Sequence, residues 1–357
     1  MLKYRLEETE EIKQLLIRLE SLRIVFETLK QLPATENNLR RESLFKSSVF
    51  SARIEGNPLS LERARMLAVS ASPQHQSRQR RDGTGFRTFD KEAPPLGGES
   101  SPEETSKLEV FNLLKAYRYL YCEKIPKKLS LKLILRLHKI VMNGLSGDVG
   151  RLRKESWGIF NQAGIAVYLA PPPFKLTSLM DELIKLDHTI DCSVPIRAGL
   201  IGFLFEKIHP LADGNGRVGR LISAFILKTG GYDFRGLLSF EEYIDEHREE
   251  YYRTLEPTQN ATSFVVFFLE AIIFQAEKMA AKLGQITNEI PEDSLLPRRR
   301  EILEITRDHP YSSFDFLRRR FPAVNPKTLH YDLKKLQDER YIIKAGKTKG
   351  VFYKAKQ

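Results

Sequence analysis

Residues 207–220 read KIHPLADGNGRVGR, and this stretch decides how the surrounding chain is interpreted. Pro210 disfavours helical geometry in the residue before it, so we expect a helix to end there. Gly214 and Gly216 permit backbone conformations that are closed to other residues. An apolar helix is predicted directly afterwards, over 217–228. Backbone N–H groups that converge at a helix N-terminus form an anion site, and the stretch therefore predicts one.

The side chains of the same stretch are those that nucleotide chemistry needs. Arg217 and Arg220 are three residues apart, so both guanidinium groups are expected to face one anion. Asp213 offers a hard carboxylate, which suits Mg²⁺ bound to a nucleotide. His209 has a pKa suited to accepting a proton near neutral pH.

The stretch resembles the signature of the Fic family, His-Pro-Phe-x-Asp/Glu-Gly-Asn-Gly/Lys-Arg-x-x-Arg. Leu211 replaces the usual Phe and is expected to pack inward as that Phe does. The resemblance implies a protein adenylyltransferase that moves AMP from ATP to a hydroxyl group of a protein. It implies that His209 is the general base and that Asp213 holds Mg²⁺ against the phosphates. The nucleotide-binding residues that it implies are Asp213, Gly214, Asn215, Gly216, Arg217 and Arg220.

Residues 51–57, SARIEGN, match the inhibitory pattern of the same family, Ser/Thr-x-x-x-Glu-Gly/Asn. Ser51 and Glu55 are four residues apart, so they share one helix face. A Glu55 carboxylate paired with Arg220 would occupy the place of the γ-phosphate and misalign ATP. The alternative is that Glu55 only ends a helix. The resemblance also leaves open that the same Glu helps to remove AMP from modified targets.

Two further segments extend the resemblance. In the Fic family a flap with an exposed strand edge holds the target by main-chain pairing. Three features of this chain look like that flap: GDVGR at 147–151, a hairpin predicted over 159–169 and YLAPPP at 168–173. An ordinary hairpin that closes a helical bundle is the alternative. Tyr251 and Tyr252 lie where related proteins place aromatic residues near adenine, although a Tyr pair on a helix more often belongs to a core.

The predicted fold is mainly α: a Fic-type helical bundle with a small β-hairpin flap, followed by a C-terminal winged helix-turn-helix. Residues 1–69 are predicted to form N-terminal helices with the inhibitory motif. Residues 70–106 lack apolar periodicity and are predicted to be a mobile insertion. The catalytic core is placed at 107–290, with helices that include 107–121 and an unbroken 239–255.

Residues 298–357 carry 16 Lys and Arg against 7 Asp and Glu, whereas the net charge of the whole chain is +11. Three helices and then two strands are predicted here, with Asn325 as the N-cap of the third helix. DNA binding through that helix and a protein–protein module both fit. In the third helix we expect three side chains to be buried: Leu329, Leu333 and Leu336. The side chains expected to be exposed are Lys327, Thr328, His330, Tyr331, Lys334 and Lys335. The predicted wing carries Lys344, Lys347 and Lys349.

Composition excludes several classes of protein. The longest apolar run, 264–274, is too short to span a bilayer, so no membrane partner is expected. Two cysteines and the lack of a secretory signal favour a reducing cytoplasm. The resemblance leaves a homodimer open, since dimers are common among Fic proteins.

Two other functions stay open. The chain could be a DNA-binding transcriptional regulator whose Fic-like domain only senses a nucleotide, in which case His209 would be dispensable. It could also transfer a different phosphate-containing group, as a few relatives do, although the unaltered glycines and arginines favour a triphosphate. The sequence does not name the target protein.

Overall fold

The structure is a computed structural model, and it describes residues 2–28, 33–70, 101–121, 125–160, 166–256, 258–288, 295–346 and 351–356. Most of the predicted insertion lies outside these residues, as do the hairpin turn at 161–164 and the predicted wing residues Lys347 and Lys349. Among the described helices, none combines the length and the apolar character that a bilayer crossing requires.

The chain divides into two compact units, one of Met1–Thr28 with Leu39–Ala281 and one of Leu29–Asn38 with Lys282–Gln357. The predicted, mainly helical fold is confirmed. Helices α1 to α11 lie wholly or largely in the first unit: α1 (Glu10–Thr28), α2 (Pro33–Ile54), α3 (Leu61–Ser70), α4 (Pro102–Leu120), α5 (Leu131–Val141), α6 (Leu176–Thr189), α7 (Val194–Ile208), α8 (Asn215–Thr229), α9 (Phe240–Glu246), α10 (Arg248–Thr254) and α11 (Thr262–Asn288).

Helices α7 and α8 form the centre of the first unit, and nearly every side chain of both is buried. Small residues let the two helices approach closely: a Cβ at Gly202 would lie 2.6 Å from the Ser223 hydroxyl. The Ser223 hydroxyl donates to the Ala198 carbonyl at 3.0 Å. This packing fixes the loop between them, 209–214, because both of its ends start from rigid elements.

Two helix boundaries differ from those predicted. Helix α4 begins at Pro102 rather than at residue 107, because Ser101 and Glu104 form a reciprocal capping box. The single helix predicted over 239–255 is two helices, α9 and α10, separated at His247, whose φ of −121° and ψ of 39° are not helical. The break turns α10 onto the cleft described below.

The predicted hairpin is confirmed as β1 (Gly158–Phe160) and β2 (Ala166–Leu169), which pair antiparallel with Ile159 opposite Tyr168. The pairing continues past the strands, since the Ala170 N–H donates to the Trp157 carbonyl at 3.0 Å. A 3₁₀ turn, Pro173–Lys175, leads from the hairpin into α6.

The second unit has its own hydrophobic core, which includes the predicted stripe Leu329, Leu333 and Leu336. Asn325 caps its third helix as predicted, accepting from the Lys327 N–H at 2.9 Å. A short strand that was not predicted, β3 (Ser312–Ser313), pairs with β5 (Phe352–Ala355), which pairs in turn with β4 (Ile342–Ala345), so the sheet has the order β3-β5-β4. The elements are α12 (Pro297–Asp308), β3 (Ser312–Ser313), α13 (Phe314–Arg320), α14 (Pro326–Asp338), β4 (Ile342–Ala345) and β5 (Phe352–Ala355).

Candidate nucleotide-binding site

A cleft of about 560 Å³ opens in the first unit where the loop 209–214 meets the hairpin, the end of α2 and α10. Its floor is the N-terminus of α8, where the first backbone N–H groups have no partner within the helix. Residues from all four elements line it, among them Glu55, Trp157, Tyr168, Glu206, His209, Asp213, Gly216, Tyr251 and Tyr252.

The loop is held in shape by its own residues. The Asn215 side chain accepts from the Leu211 N–H and donates to the Leu211 carbonyl, both at 2.9 Å. Leu211 is fully buried, so the inward packing predicted for this position is confirmed. Gly214 has a φ of 79°, which strains any other residue, and Met142 fills the space that a Cβ would need. The Asn215 side chain is therefore used inside the loop and leaves its backbone to face the cleft.

His209 ends α7 in the left-handed conformation, with a φ of 47°. Its imidazole stacks on Trp157 with ring centroids 3.6 Å apart. Burial lowers the pKa of His209 to about 4, although a hydrogen bond from the ring to the Glu206 backbone favours the charged form. The imidazole is therefore neutral at physiological pH and able to accept a proton.

Arg153 connects this loop to the hairpin. Its guanidinium donates to three carbonyls: His209 at 2.7 Å, Glu155 at 2.6 Å and Pro171 at 2.6 Å. The backbone N–H of Arg153 also donates to the Pro210 carbonyl at 2.9 Å. Only 6% of the residue is exposed, so these hydrogen bonds form away from water. The flap and the histidine therefore share one support.

The two arginines do not face one common partner. Arg217 donates to Asp213 and to Glu109, each at 2.7 Å. Arg220 donates to the Ser51 hydroxyl at 3.0 Å, to the Ser51 carbonyl at 2.9 Å and to Glu55 at 2.8 Å. The predicted helix face of Ser51 and Glu55 thus meets Arg220.

The pair of Glu55 and Arg220 lies at the wall of the cleft. Arg220 is almost fully buried, and the Glu55 side chain is 30% exposed. Burial alone would lower the pKa of Arg220, but the Glu55 carboxylate raises it overall, so the guanidinium stays charged. A Cβ at Gly216 would collide with Glu55 Oε1. The carboxylate therefore lies against the first turn of α8, in the space where an anion would meet that helix.

Residues 128–227 match the Fic/DOC family. These residues form a Fic/DOC family domain. Protein adenylyltransferase Fic of Drosophila virilis is 24% identical over 222 residues, 61% of this chain and 39% of that protein. A probable protein adenylyltransferase of Aquifex aeolicus (strain VF5) is 29% identical over 160 residues, 42% of this chain and 48% of that protein. The chain thus spans less than half the length of these curated relatives.

The fold is also similar to solved Fic structures. A Fic family protein from Desulfovibrio desulfuricans G20 superposes with a TM-score of 0.65 at 22% identity, covering 99% of this chain and 98% of that one. Fic-1 (residues 134–508) from C. elegans superposes with a TM-score of 0.54 at 21% identity, covering 77% and 72%. At these identities the likeness concerns the fold.

Four residues that contact residues 209–220 or line the cleft were not predicted from the sequence: Trp157, Arg153, Glu109 and Glu206. Glu206 lines the cleft with a buried Oε1 that has no hydrogen-bond partner among the described residues. Burial, together with the nearby Glu55 carboxylate, raises the pKa of Glu206 to about 8. Trp157 carried one sequence signal, since it is the single tryptophan of the chain and precedes the hairpin.

The two tyrosines of α10 have different positions. Tyr251 is 4% exposed and Tyr252 is 49% exposed, although both line the cleft. The Tyr252 hydroxyl donates to the Ile54 carbonyl at 2.9 Å and so contacts the residue next to Glu55. Tyr251 therefore combines a core position with a face in the cleft, and Tyr252 contacts the end of α2.

Asp213 fits a role in holding Mg²⁺ beside a nucleotide. Its side chain is 59% exposed and lines the cleft, and a single carboxylate is enough where phosphates supply the other oxygens. The described residues contain no cluster of three or more potential metal ligands. Beneath the loop, the buried His138 accepts from the Gly150 N–H at 3.1 Å and hydrogen-bonds the Asp213 backbone.

Proposed function

We propose that this protein transfers AMP from ATP to a Ser, Thr or Tyr hydroxyl group of a protein. The observation that carries the proposal is the neutral His209, stacked on Trp157 above the anion-binding N-terminus of α8. The names of the curated relatives, protein adenylyltransferases, point to the same reaction.

In the proposed reaction, His209 takes the proton of the target hydroxyl as its oxygen attacks the α-phosphorus of ATP. A phosphodiester bond forms, the bond to the bridging oxygen breaks, and pyrophosphate leaves. The backbone of Gly214, Asn215 and Gly216 would stabilise the charge on the phosphates. Mg²⁺ held by Asp213 would neutralise part of the charge on the departing pyrophosphate.

We propose further that Glu55 restrains this reaction. The Glu55 carboxylate accepts a hydrogen bond from Arg220 at 2.8 Å and lies against Gly216. The outer phosphates of ATP would therefore meet a negative charge where they bind. Misplacement of the outer phosphates would misalign the α-phosphorus, and alignment accounts for much of the rate in this type of transfer.

The target would bind along the hairpin, over 159–173, by main-chain pairing. Two exposed apolar side chains support this docking: Leu169, at the end of β2, is 64% exposed, and Phe174, in the 3₁₀ turn that follows, is 82% exposed. Because the hairpin shares Arg153 with His209, a docked segment would be presented close to the base.

The test compares ATP labelled at the α-phosphate with ATP labelled at the γ-phosphate, in a bacterial lysate with Mg²⁺. Glu55→Gly should retain the α label on protein and exceed the wild type, whereas His209→Ala in that background should retain none. Glu55→Gln is the matched control, since it keeps the shape of the side chain and removes its charge. Retention of the γ label on protein would indicate a kinase. An unchanged rate in Glu55→Gly would disprove the restraint by Glu55 but not the proposed AMP transfer.

We also propose that the second unit is a winged helix-turn-helix that binds DNA. The exposed face of α14 supports this, with Lys327, His330, Tyr331 and Lys334 all outward. Asp332 of the same helix is buried and holds Arg298 at 2.5 Å and Arg299 at 3.0 Å, which adds positive charge beside that face. Basic side chains on such a helix are suited to phosphate contacts in a major groove.

A DNA-binding regulator is the second candidate function. Affinity for duplex DNA should fall steeply with added salt, and Lys334→Glu should weaken it at every salt concentration. Lys3→Glu, an exposed position in the first unit, is the control with the same change in net charge. No retention on DNA at low salt would exclude the proposal, whereas DNA binding together with a dispensable His209 would favour the regulator over the transferase.

A further inference from the structure

Arg217 and Arg220 of α8 each pair with a carboxylate from outside residues 128–227, which match the Fic/DOC family. Glu55 pairs with Arg220, and Glu109 of α4 pairs with Arg217. The first pair belongs to the restraint already proposed. The restraint by Glu55 does not explain the second pair. Only 14% of the Glu109 side chain is exposed, so this pair is not one between surface charges.

Glu109 is part of a continuous chain of polar contacts. The Asn57 amide donates to Glu109 Oε2 at 2.8 Å, and Arg217 donates to Glu109 Oε1 at 2.7 Å. The second nitrogen of the Arg217 fork donates to Asp213 at 2.7 Å. Asn57 is itself fixed by the Ser106 carbonyl at 2.9 Å. The Arg217 guanidinium thus lies between the Glu109 carboxylate, which is largely buried, and the Asp213 carboxylate, which is exposed in the cleft.

We propose that Glu109 is a positioning residue that shares the charge of Arg217 and so keeps the Asp213 carboxylate available to the divalent cation that accompanies ATP. This inference rests on the proposed function. Arg217 is 8% exposed, so its charge is poorly screened by water. With Glu109 in place, that charge is divided between two carboxylates. Without it, the guanidinium pairs with Asp213 alone and competes with the cation.

The experiment uses the full chain with Glu55→Gly, so that the restraint does not obscure binding. Trp157 is the only tryptophan and stacks on His209 in the cleft, so its fluorescence reports nucleotide binding without turnover. ATP is titrated in EDTA, and the Mg²⁺ concentration for half-maximal effect is then measured at fixed ATP. The variant is Glu109→Gln, which keeps the hydrogen-bonding shape and removes the charge.

Glu109→Gln should raise the half-maximal Mg²⁺ concentration about five- to tenfold, the size expected for the net effect of one ordinary hydrogen bond. Its affinity for ATP in EDTA should stay within about twofold or become tighter, since a freer guanidinium binds phosphate better. Glu103→Gln is the matched control on the same helix, where an exposed ion pair with Arg63 is lost instead, and it should change neither value.

Two results would overturn the inference. An unchanged Mg²⁺ requirement would show that Glu109 does not act on Asp213. Equal weakening of ATP binding with and without Mg²⁺ would show a merely structural role. If Glu109→Gln does not fold, Asn57→Ala takes its place, with a smaller increase expected because it frees only Glu109 Oε2. A Glu55→Gly parent that folds but does not respond to ATP would disprove the proposed function, and the inference with it, before any Glu109 variant is compared.

Discussion

Burial keeps the two titratable groups beside the proposed α-phosphate position uncharged. It lowers the pKa of His209 to about 4 and raises that of Glu206 to about 8, so near neutral pH the imidazole is neutral and the carboxyl group is protonated. The charged side chains at the cleft include Glu55, Asp213 and the two arginines. A neutral base beside charged phosphate ligands is the arrangement that hydroxyl activation requires.

Trp157→Ala should give His209 a higher pKa, because the indole that excludes water from the imidazole is lost. A base works only in its neutral form, so a pKa closer to the ordinary 6.5 reduces transfer at pH 6 by about two- to fourfold relative to pH 8. In the Glu55→Gly parent the rate should stay level over that range. The measurement is the pH dependence of α-label transfer, with Trp157→Phe as a control that keeps an aromatic stack.

Glu206→Gln should remove a pH dependence of stability. The pKa of Glu206 is higher in the folded state than its ordinary 4.5, so the folded protein binds the extra proton and the free energy of unfolding falls as pH rises from about 4.5 to 8. Each unit of pKa difference corresponds to about 1.4 kcal/mol. Melting temperatures from pH 5 to 9 should therefore show the wild type losing several degrees more than the variant. Parallel curves would contradict the assignment.

At the scale of elements, the loop and the hairpin behave as one structure because Arg153 joins their backbones. Three carbonyls from separate turns converge on one planar guanidinium. A lysine ammonium lacks the fork that matches them. The position of the flap relative to His209 therefore depends on this side chain.

Arg153→Lys should lower the rate constant of transfer to a protein target about tenfold while changing ATP affinity less than about threefold, since it disturbs orientation more than phosphate binding. The two quantities are measured by label transfer and by Trp157 fluorescence. Arg151→Lys, two residues away and exposed, is the control. A loss of ATP affinity equal to the loss of rate would show that Arg153 acts on the whole site.

Gly214→Ala should damage the loop that binds the phosphates. The left-handed conformation costs an alanine about 1–2 kcal/mol, and its methyl group would lie 2.9 Å from the Met142 sulfur. We expect a melting temperature lower by several degrees and the loss of ATP binding. Gly147→Ala is the matched control, because a Cβ there has no neighbour within 4 Å. An ATP affinity like that of the control would contradict the proposed phosphate site.

At the scale of the whole molecule, the chain carries two hydrophobic cores, and the complete cleft lies in the first unit. The second unit packs its own core around Ile302, Leu317, Leu333 and Leu336. A unit with a core of its own is expected to unfold cooperatively by itself.

Calorimetry should therefore resolve two unfolding transitions, and ATP with Mg²⁺ should raise the temperature of only one, because a ligand stabilises the unit that binds it. At a concentration 100 times its dissociation constant, ATP should add about 2.7 kcal/mol to that unit. Leu333→Ala, which opens a cavity in the core of the second unit, should lower the temperature of the other transition and so assign the responsive one to the first unit. A single transition that moves as a whole would show that the units unfold together.

Local chemistry explains what the sequence alone could determine. Pro210, the glycines and the apolar periodicity after them specify a helix, a turn and a second helix within a few residues, and the turn is found as predicted. The four-residue spacing of Ser51 and Glu55 likewise predicted a shared direction, and both meet Arg220, Ser51 from α2 and Glu55 from the turn directly after it. Signals of this kind depend on neighbouring residues, which the sequence displays directly.

The tertiary structure alone decided which distant residues meet. Glu109 and Arg217 are 108 residues apart and Arg153 and His209 are 56 apart, and no local pattern marks either pair. The break at His247, which places α10 on the cleft, follows from packing rather than from a Pro or Gly signal. The pKa values of His209 and Glu206 also depend on burial by several elements at once. The residue types that make the chemistry available are local, whereas their environment is created only when the helices pack and exclude water.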